Sequence, residues 1–380
     1  MNVYLFGQRN LTGGGKHFAG MADAMSKLSE LSHNLNEINV EGKKIHPIVS
    51  SIRAEDVSIF FFPTISEQFV RGFIIKWAIF EANKLSDDYL SYLDRSHLIW
   101  APSTWAADIL KASGLDNEKI HIVPEGVDPN IYNPFGRAFR GDDPVFRFLM
   151  CGKFEARKGH SELLDGFKLA FGQHQNVELH LKADYFWGSA EQVQLKKNEL
   201  IEQIETLGLK NVRPIFGAIS EQQLSFLYKH ADAFVFPSRA EGWGLPLIEA
   251  IACGSPVAST FYSGHTEYLT QIRDKITELS HNMMPIECPE FISFWGERGD
   301  WAVVEPNQIA EKLLELKKNI LSKNKLALEA SHFVRNNFSW RHAAERALLS
   351  LQSLGFCRYK NCYTETLGNP SRQFGSGASK

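Results

Sequence analysis

Along this chain, short apolar runs that stop at glycine or proline alternate with stretches of helical periodicity. Val3-Tyr-Leu-Phe6 ends at Gly7, and a glycine cluster, Gly13-Gly14-Gly15, opens a helical pattern through Phe18, Met21, Met25 and Leu28. Val57–Phe62 stops at Pro63, Ile74–Phe80 forms a third run, and Leu98-Ile-Trp100 ends just before Pro102, with Ser103 placed to cap the next helix. Ile120–Val123 stops at Pro124. Such short buried runs suit strands covered on both faces, with the helical stretches as crossovers, and so predict a mostly parallel α/β sheet.

The stretch from Tyr132 to Pro144 is rich in Pro, Gly, Arg and Asp, has neither period, and reads as a linker. The alternation then restarts. Val145–Met150 is a predicted strand, Ser161–Phe171 a helix and Val177–Leu181 a strand; a longer helix falls between Gly188 and Leu207, with Gly208 as its stop. Ala233–Phe236 ends at Pro237, Ser255–Ala258 follows a helix, and Ile309–Leu351 reads as a run of amphipathic helices. From Gly355 the chain is polar and Gly/Ser-rich. The 380 residues suffice for two domains, each with its own core. We expect a first domain over 1–135, a linker over 136–144, a second domain over 145–337, a closing helix over 338–356 and a tail over 357–380.

Composition narrows the function class. A net charge of −3 gives no general attraction to nucleic acid or anionic lipid. Lys43-Lys44, Lys196-Lys197 and Lys317-Lys318 read as solvated surface. Five cysteines, an odd number without Cys-x-x-Cys spacing, are expected as free thiols in a reducing, cytoplasmic setting. Cys151 and Cys253 read as core residues, and Cys357 and Cys362 as a pair that stays reduced. The first residues enter a strand without a leader pattern, and no run of about 18 apolar residues occurs.

The chemistry concentrates in two loops. Glu241-Gly-Trp-Gly-Leu-Pro-Leu-Ile-Glu249 follows a predicted strand and opens a helix, with Pro246 at its start. Gly242 and Gly244 let the backbone approach a ligand, and the free amides and dipole of the helix start favour an anion. Glu241 precedes the helix and Glu249 lies about one turn inside it. Two acids flanking an anion site suit a phosphate with hydroxyls at both ends, since carboxylates accept hydrogen bonds strongly. The second loop, Cys151-Gly-Lys153-Phe-Glu-Ala-Arg157-Lys158-Gly159, puts three cations at the carboxyl end of a strand, where they can neutralise a diphosphate. Taken alone, the first segment could be a capped surface helix and the second a solvated basic turn.

Together these segments resemble the retaining GT-B glycosyltransferases, in particular the large group 1 family with two glutamates separated by seven residues. Gly242-Trp243-Gly244-Leu245-Pro246 matches the family core between the glutamates. Ala101-Pro-Ser103-Thr-Trp105, Val123-Pro-Glu-Gly-Val-Asp128, Asn133-Pro134, Phe216-Gly217 before Ile219-Ser220, and Phe338-Ser-Trp340 extend the likeness over most of the chain. The resemblance implies two Rossmann-like domains facing across a cleft, with the terminal helix crossing back to the first. It implies a nucleotide-sugar donor (UDP-, GDP- or ADP-linked) and a carbohydrate, lipid-linked or other acceptor. Glu249 would bind ribose hydroxyls, Glu241 the donor sugar, and Lys153 and Lys158 the diphosphate. Gly244 and Leu245 would turn their amides to the distal phosphate or sugar, beside Trp243; Gly217 would lie near the base; and Gly13, Gly14 and Gly15 would approach the phosphates.

Two departures stand out. Lys153 occupies a position where the family usually has Arg, which replaces a bidentate fork by a point charge. The histidine that many relatives carry near the reacting carbon has no evident counterpart; Glu81, His17 and His265 are the candidates. The chain lacks Asp-x-Asp, so a retaining, metal-independent transfer is expected, with no metal ligands and the cations stabilising the departing diphosphate. A nucleotide-sugar epimerase and a non-catalytic nucleotide-sugar binder stay open as alternatives. Contact with the inner face of a membrane and the oligomeric state are also open. Gly15-Lys16-His17 fails as a phosphate-loop motif because neither the leading glycine nor the trailing Ser/Thr is present.

Overall fold

In the computed structural model, which describes residues 2–10, 12–28, 31–40, 51–63, 70–137, 144–172, 174–185, 188–296, 298–353 and 355, each alternation becomes a six-stranded sheet. The first contains β1 (Val3–Gly7), α1 (Gly13–Met25), β2 (Leu35–Asn39), β3 (Val57–Phe60), β4 (Phe73–Trp77), α2 (Asp87–Asp94), β5 (Leu98–Ala101), α3 (Thr104–Ala112) and β6 (Ile120–Ile122). The second contains β7 (Phe146–Lys153), α4 (His160–Phe171), β8 (Val177–Asp184), α5 (Ala190–Thr206), β9 (Val212–Ile215), α6 (Glu221–His230), β10 (Ala233–Phe236), α7 (Leu245–Ala252), β11 (Val257–Thr260), α8 (Thr266–Leu269) and β12 (Thr277–Leu279). A hairpin of β13 (Asn282–Pro285) and β14 (Asp300–Val303), spanning α9 (Pro289–Trp295), follows; α10 (Pro306–Lys318), α11 (Ile320–Asn337) and α12 (Trp340–Ser353) close the chain.

Both large sheets are parallel throughout, in the orders β2-β1-β3-β4-β5-β6 and β12-β11-β10-β7-β8-β9. The second is the doubly wound Rossmann order and the first its flavodoxin-like relative. Helix starts are set by side chains. Ser103 accepts from the Ala106 amide as expected, while Ser189 with Gln192 and Ser220 with Gln223 form capping boxes. Gly208 takes the left-handed conformation just past α5, as a helix stop should.

The structure departs from the pattern in three places. β2, Leu-Asn-Glu-Ile-Asn, is a half-polar edge strand that an apolar-run search passes over. The run Ile74–Phe80 leaves the sheet after Trp77, so Ala78–Phe80 and Glu81 form a loop. The β13–β14 hairpin with α9 had no periodic signal. Cys151 and Cys253 are buried free thiols, as expected. Cys357, Cys362, the tail over 357–380 and most of the linker lie outside the described residues. Among the described residues no helix is long and apolar enough to cross a membrane.

The terminal helix α12 returns to the first domain. Ala343, Ala344, Ala347, Leu348 and Leu351 enter the core built by Val3, Leu5, Phe18 and Met21, and the Trp100 indole N–H donates to Ser350 Oγ at 2.9 Å. The entry point is tight: Val127 N–H donates to the Phe338 carbonyl at 2.9 Å, and a Cβ on Gly126 would lie 2.3 Å from the Trp340 backbone nitrogen. Backbone there cannot yield as a side-chain end could. Gly126→Ala is therefore expected to destabilise the protein by about 2–3 kcal/mol, within the overpacking range, read as a lowered thermal midpoint. Gly114→Ala, at a left-handed exposed turn with open space around it, serves as a strain-only control.

Candidate active site

In both sheets the strand order reverses at one point, between β1 and β3 in the first and between β7 and β10 in the second. Crossovers leave such a point in opposite directions and open a crevice beyond the carboxyl ends of the strands. Lys153 is the last residue of β7, and the turn after it carries Arg157 and Lys158; the loop after β10 carries Ser238 and Glu241. The two expected loops therefore meet at the second switch point.

Glu241 is buried there among hydrogen-bond donors. Its Oε1 lies 2.5 Å from Lys158 Nζ and 3.0 Å from Arg157 Nη1, and accepts from Ser238 Oγ. Its backbone N–H donates to Ser263 Oγ at 2.8 Å, in a loop where Ser263 itself holds φ 68°. Burial alone would push this carboxyl up; Lys158 and Arg157 outweigh it and hold the group down at about 2. Arg157 also reaches across the cleft. Its Nη2 sits 2.8 Å from Glu81 Oε1 in the first domain, and its Nη1 donates to the Ala240 carbonyl. Glu81 thus faces the cleft, its carboxyl raised by burial against the pull of Arg157. Lys153 is half-buried at the rim, 3.7 Å from Glu155 Oε1.

Glu249 lies one turn into α7 and is buried with both oxygens engaged. Lys16 Nζ from α1 of the first domain lies 2.8 Å from Oε1, and the Tyr228 hydroxyl donates to Oε2 at 3.0 Å. The Tyr132 hydroxyl and Glu221 Oε1 complete the surroundings of Lys16, at 3.1 and 3.6 Å. Further along, Gly217 takes φ 98° with open space where a side chain would be; its N–H donates to Asp184 Oδ1 at 2.7 Å and its carbonyl accepts from Lys182 at 2.9 Å.

The glycines divide by what surrounds them. Gly13 borders open space, whereas a Cβ on Gly14 would meet the Phe62 ring and one on Gly15 the Asn10 carbonyl at 2.5 Å. Gly242 sits under Ile79 of the first domain, and Gly244 is left-handed, its carbonyl accepting from the Tyr268 hydroxyl at 3.1 Å. The amides of Gly244 and Leu245 have no protein acceptor among the described residues, and α7 begins at Leu245, with Pro246 one residue in. Trp243 is packed in the core against Tyr268 and Phe338, so any ligand it meets it meets through its backbone. His265 is buried and neutral, held by the Thr260 carbonyl at 2.8 Å, which is a structural arrangement. His17 is buried beneath Phe61, Trp77 and Trp340.

Several residues of this constellation are not singled out by the sequence: Arg157 as the cross-cleft tie, Lys16, Tyr228, Ser238 and the hairpin. The hairpin grips the Glu81 loop. Trp301 Nε1–H donates to the Glu81 carbonyl at 2.7 Å, Asp300 N–H donates to Asn83 Oδ1 at 2.7 Å, and Lys84 bridges to Arg298.

Residues 137–277 match the family model described as Glycosyl transferases group 1. Mannosylfructose-phosphate synthase of Agrobacterium fabrum is 32% identical over 162 residues, covering 41% of this chain and 36% of that protein. D-inositol 3-phosphate glycosyltransferase of Pseudarthrobacter chlorophenolicus is 29% identical over 174 residues, covering 44% and 40%. The chain thus spans two fifths or less of the length of these relatives. Among solved structures, Anabaena Alr3699/HepE in complex with UDP-glucose superposes with a TM-score of 0.69 at 16% identity, covering 93% of this chain and 100% of that one. Sucrose-phosphate synthase of Thermosynechococcus elongatus does so with a TM-score of 0.69 at 14% identity, covering 93% and 99%. The paired sheets and the returning helix give this chain the GT-B fold, and its second domain carries the match to the group 1 glycosyl transferase model.

Proposed function

We propose that the chain moves a glycosyl group from a nucleoside-diphosphate sugar to an acceptor hydroxyl, with retention at the anomeric carbon and without a metal ion. The observation that carries this reading is the meeting of Glu241, Arg157 and Lys158 beside the start of α7, with Glu249 one turn deeper. The diphosphate lies against the free Gly244 and Leu245 amides, Lys158 and Lys153. The ribose hydroxyls reach Glu249, the base lies near Gly217, and the sugar extends toward Glu241. In the transfer, the bond from the anomeric carbon to the diphosphate breaks and its electron pair leaves with the nucleoside diphosphate. The acceptor oxygen bonds the same face, and its proton passes to a phosphate oxygen. The cations and amides stabilise the charge that develops on the leaving group. The UDP-glucose held by the Anabaena structure makes UDP the first base to test.

A thermal-shift series with UDP, GDP and ADP and their glucose and mannose conjugates is expected to raise the melting temperature with one base, since a ligand of the native state stabilises it. With that donor, glycosyl transfer should need an added acceptor, persist in chelator and give α-product from α-donor. Turnover of donor to an epimer without acceptor would favour the epimerase reading, and binding without turnover the non-catalytic one. In the same series Glu249→Ala should weaken nucleotide binding by roughly tenfold to a hundredfold, the worth of hydrogen bonds to a charged acceptor. Unchanged binding by the folded variant would remove the ribose assignment.

The ionised state of Glu241 has a second consequence. Its carboxyl is held below its ordinary value, so its stabilising contribution is complete above about pH 4.5 and is lost as pH falls toward 2. A shift of that size corresponds to about 3 kcal/mol. Glu241→Gln should melt lower at neutral pH, and its stability should fall less steeply between pH 5 and 2 than that of the wild type. Parallel acid limbs for the two proteins would contradict the ionised assignment.

A further inference from the structure

The turn after β6 buries a further acid, Glu125, close enough to Glu241 to feel its charge. Glu125 is 4% exposed, and two residues on, Val127 pairs by its backbone with Phe338 and Trp340. Among the described residues its carboxyl has no hydrogen-bond partner; His17 Nδ1, itself without a partner, lies 3.9 Å from its Oε1. His17 Nε2 is likewise unpaired within its aromatic surround. The other titratable groups that sense Glu125 come from the second domain: Glu241 on the loop before α7, and Tyr268 of α8, whose hydroxyl is spent on the Gly244 carbonyl. Among the described residues neither domain therefore supplies a counter-charge. A buried, unpaired carboxyl costs stability, and unpaired polar groups of this kind concentrate where a ligand completes them.

We propose that Glu125 is a sugar-positioning residue of the first domain, its carboxyl hydrogen-bonding a hydroxyl of the transferred sugar from the wall opposite Glu241. The inference rests on the transfer reading and adds a contact to it. Burial, reinforced by Glu241, pushes Glu125 up to about 8, so at neutral pH it carries a proton and donates as well as accepts. Glu241, ionised, only accepts. The two acids thus form an unlike pair suited to a hydroxylated ring: one grips a hydroxyl as acceptor while the other donates to a hydroxyl oxygen. Neutral His17 behind Glu125 leaves that proton in place because it offers no charge to draw it off.

The test compares full-length wild type, Glu125→Gln and Glu125→Leu, using UDP, GDP and ADP and their glucose conjugates as probes. All three proteins should bind the free nucleoside diphosphate within about twofold of one another, since Glu125 faces the sugar. Glu125→Leu should bind the sugar conjugate roughly tenfold or more weakly, the scale of one hydrogen bond at a buried site, while Glu125→Gln, which keeps a donor, stays close to wild type at pH 7. Wild-type affinity for the conjugate should fall as pH rises through about 8, and that of the Gln variant should not. Both variants should also melt higher than wild type at pH 7.5, with the gain shrinking toward pH 4.5. The raised carboxyl keeps a proton that the unfolded chain has already lost in that window, and the unmet burial disfavours the native state progressively as pH rises. Conjugate and free nucleotide weakened alike, or conjugate binding unchanged in Glu125→Leu, would overturn the proposal. Conjugate binding that responds as described without any glycosyl transfer would sink the transfer reading and leave this contact standing. A wild type that binds no conjugate overturns both.

Discussion

A carboxylate buried between two cations is the constraint around which this cleft is arranged. Glu241 can remain ionised away from water only because Lys158 and Arg157 are buried with it and Ser238 and the Ala240 carbonyl satisfy neighbouring atoms. Taken whole, such a cluster gains little over a well-packed apolar one, since desolvation of each charge offsets much of the attraction, although removing one member leaves the others uncompensated. It is good at fixing geometry. Arg157 spends one arm of its fork on Glu241 and the Ala240 carbonyl and the other on Glu81, so the loop after β4 of the first sheet and the switch point of the second are set relative to one planar group. The Trp301 and Asp300 contacts then hold the Glu81 loop from outside. The cations are thereby held in fixed positions, and preorganised charge is what stabilises a developing anion most effectively.

Much of the fold was legible because parallel α/β sheets write themselves locally. A strand buried on both faces is an apolar run, its stop is a glycine or proline, and the following helix announces itself by a serine cap, as at Ser103, Ser189 and Ser220. β2 escaped because an edge strand buries only part of itself, and Leu-Asn-Glu-Ile-Asn resembles a loop. The hairpin escaped for a different reason: Asn-Met-Met-Pro is half exposed on an antiparallel ribbon, and its worth lies in tertiary contacts with Asn83 and Glu81.

The site divides in the same way. Glu241, Glu249 and the Lys153–Lys158 turn were visible because the chemistry and the helix start lie within a few residues of one another. Lys16 and Arg157 were in view as residues, but their roles depend on partners 233 and 84 or fewer positions away, which no local pattern encodes. Lys16 lay in a segment set aside as a phosphate loop, and its ammonium turns to Glu249. Glu125 carried still less signal, since an acid in a Pro-Glu-Gly turn is ordinarily solvated, and its burial depends on distant parts of the chain such as His17.

The Lys16–Glu249 pair also bears on how tightly any ligand can hold Glu249. A hydroxyl arriving there finds both carboxylate oxygens already served, by Lys16 and by Tyr228. What it contributes is the difference between its own hydrogen bond and the share it displaces, which is why a charged acceptor contributes a modest net amount and not the full gas-phase strength of the bond. Because Lys16 belongs to the first domain and Glu249 to the second, that exchange is also an exchange of an inter-domain contact for a ligand contact. Occupancy of the acid and the approach of α1 to α7 are therefore coupled in one equilibrium. A ligand shifts that equilibrium only by the difference between its affinities for the arrangements with and without the Lys16–Glu249 contact.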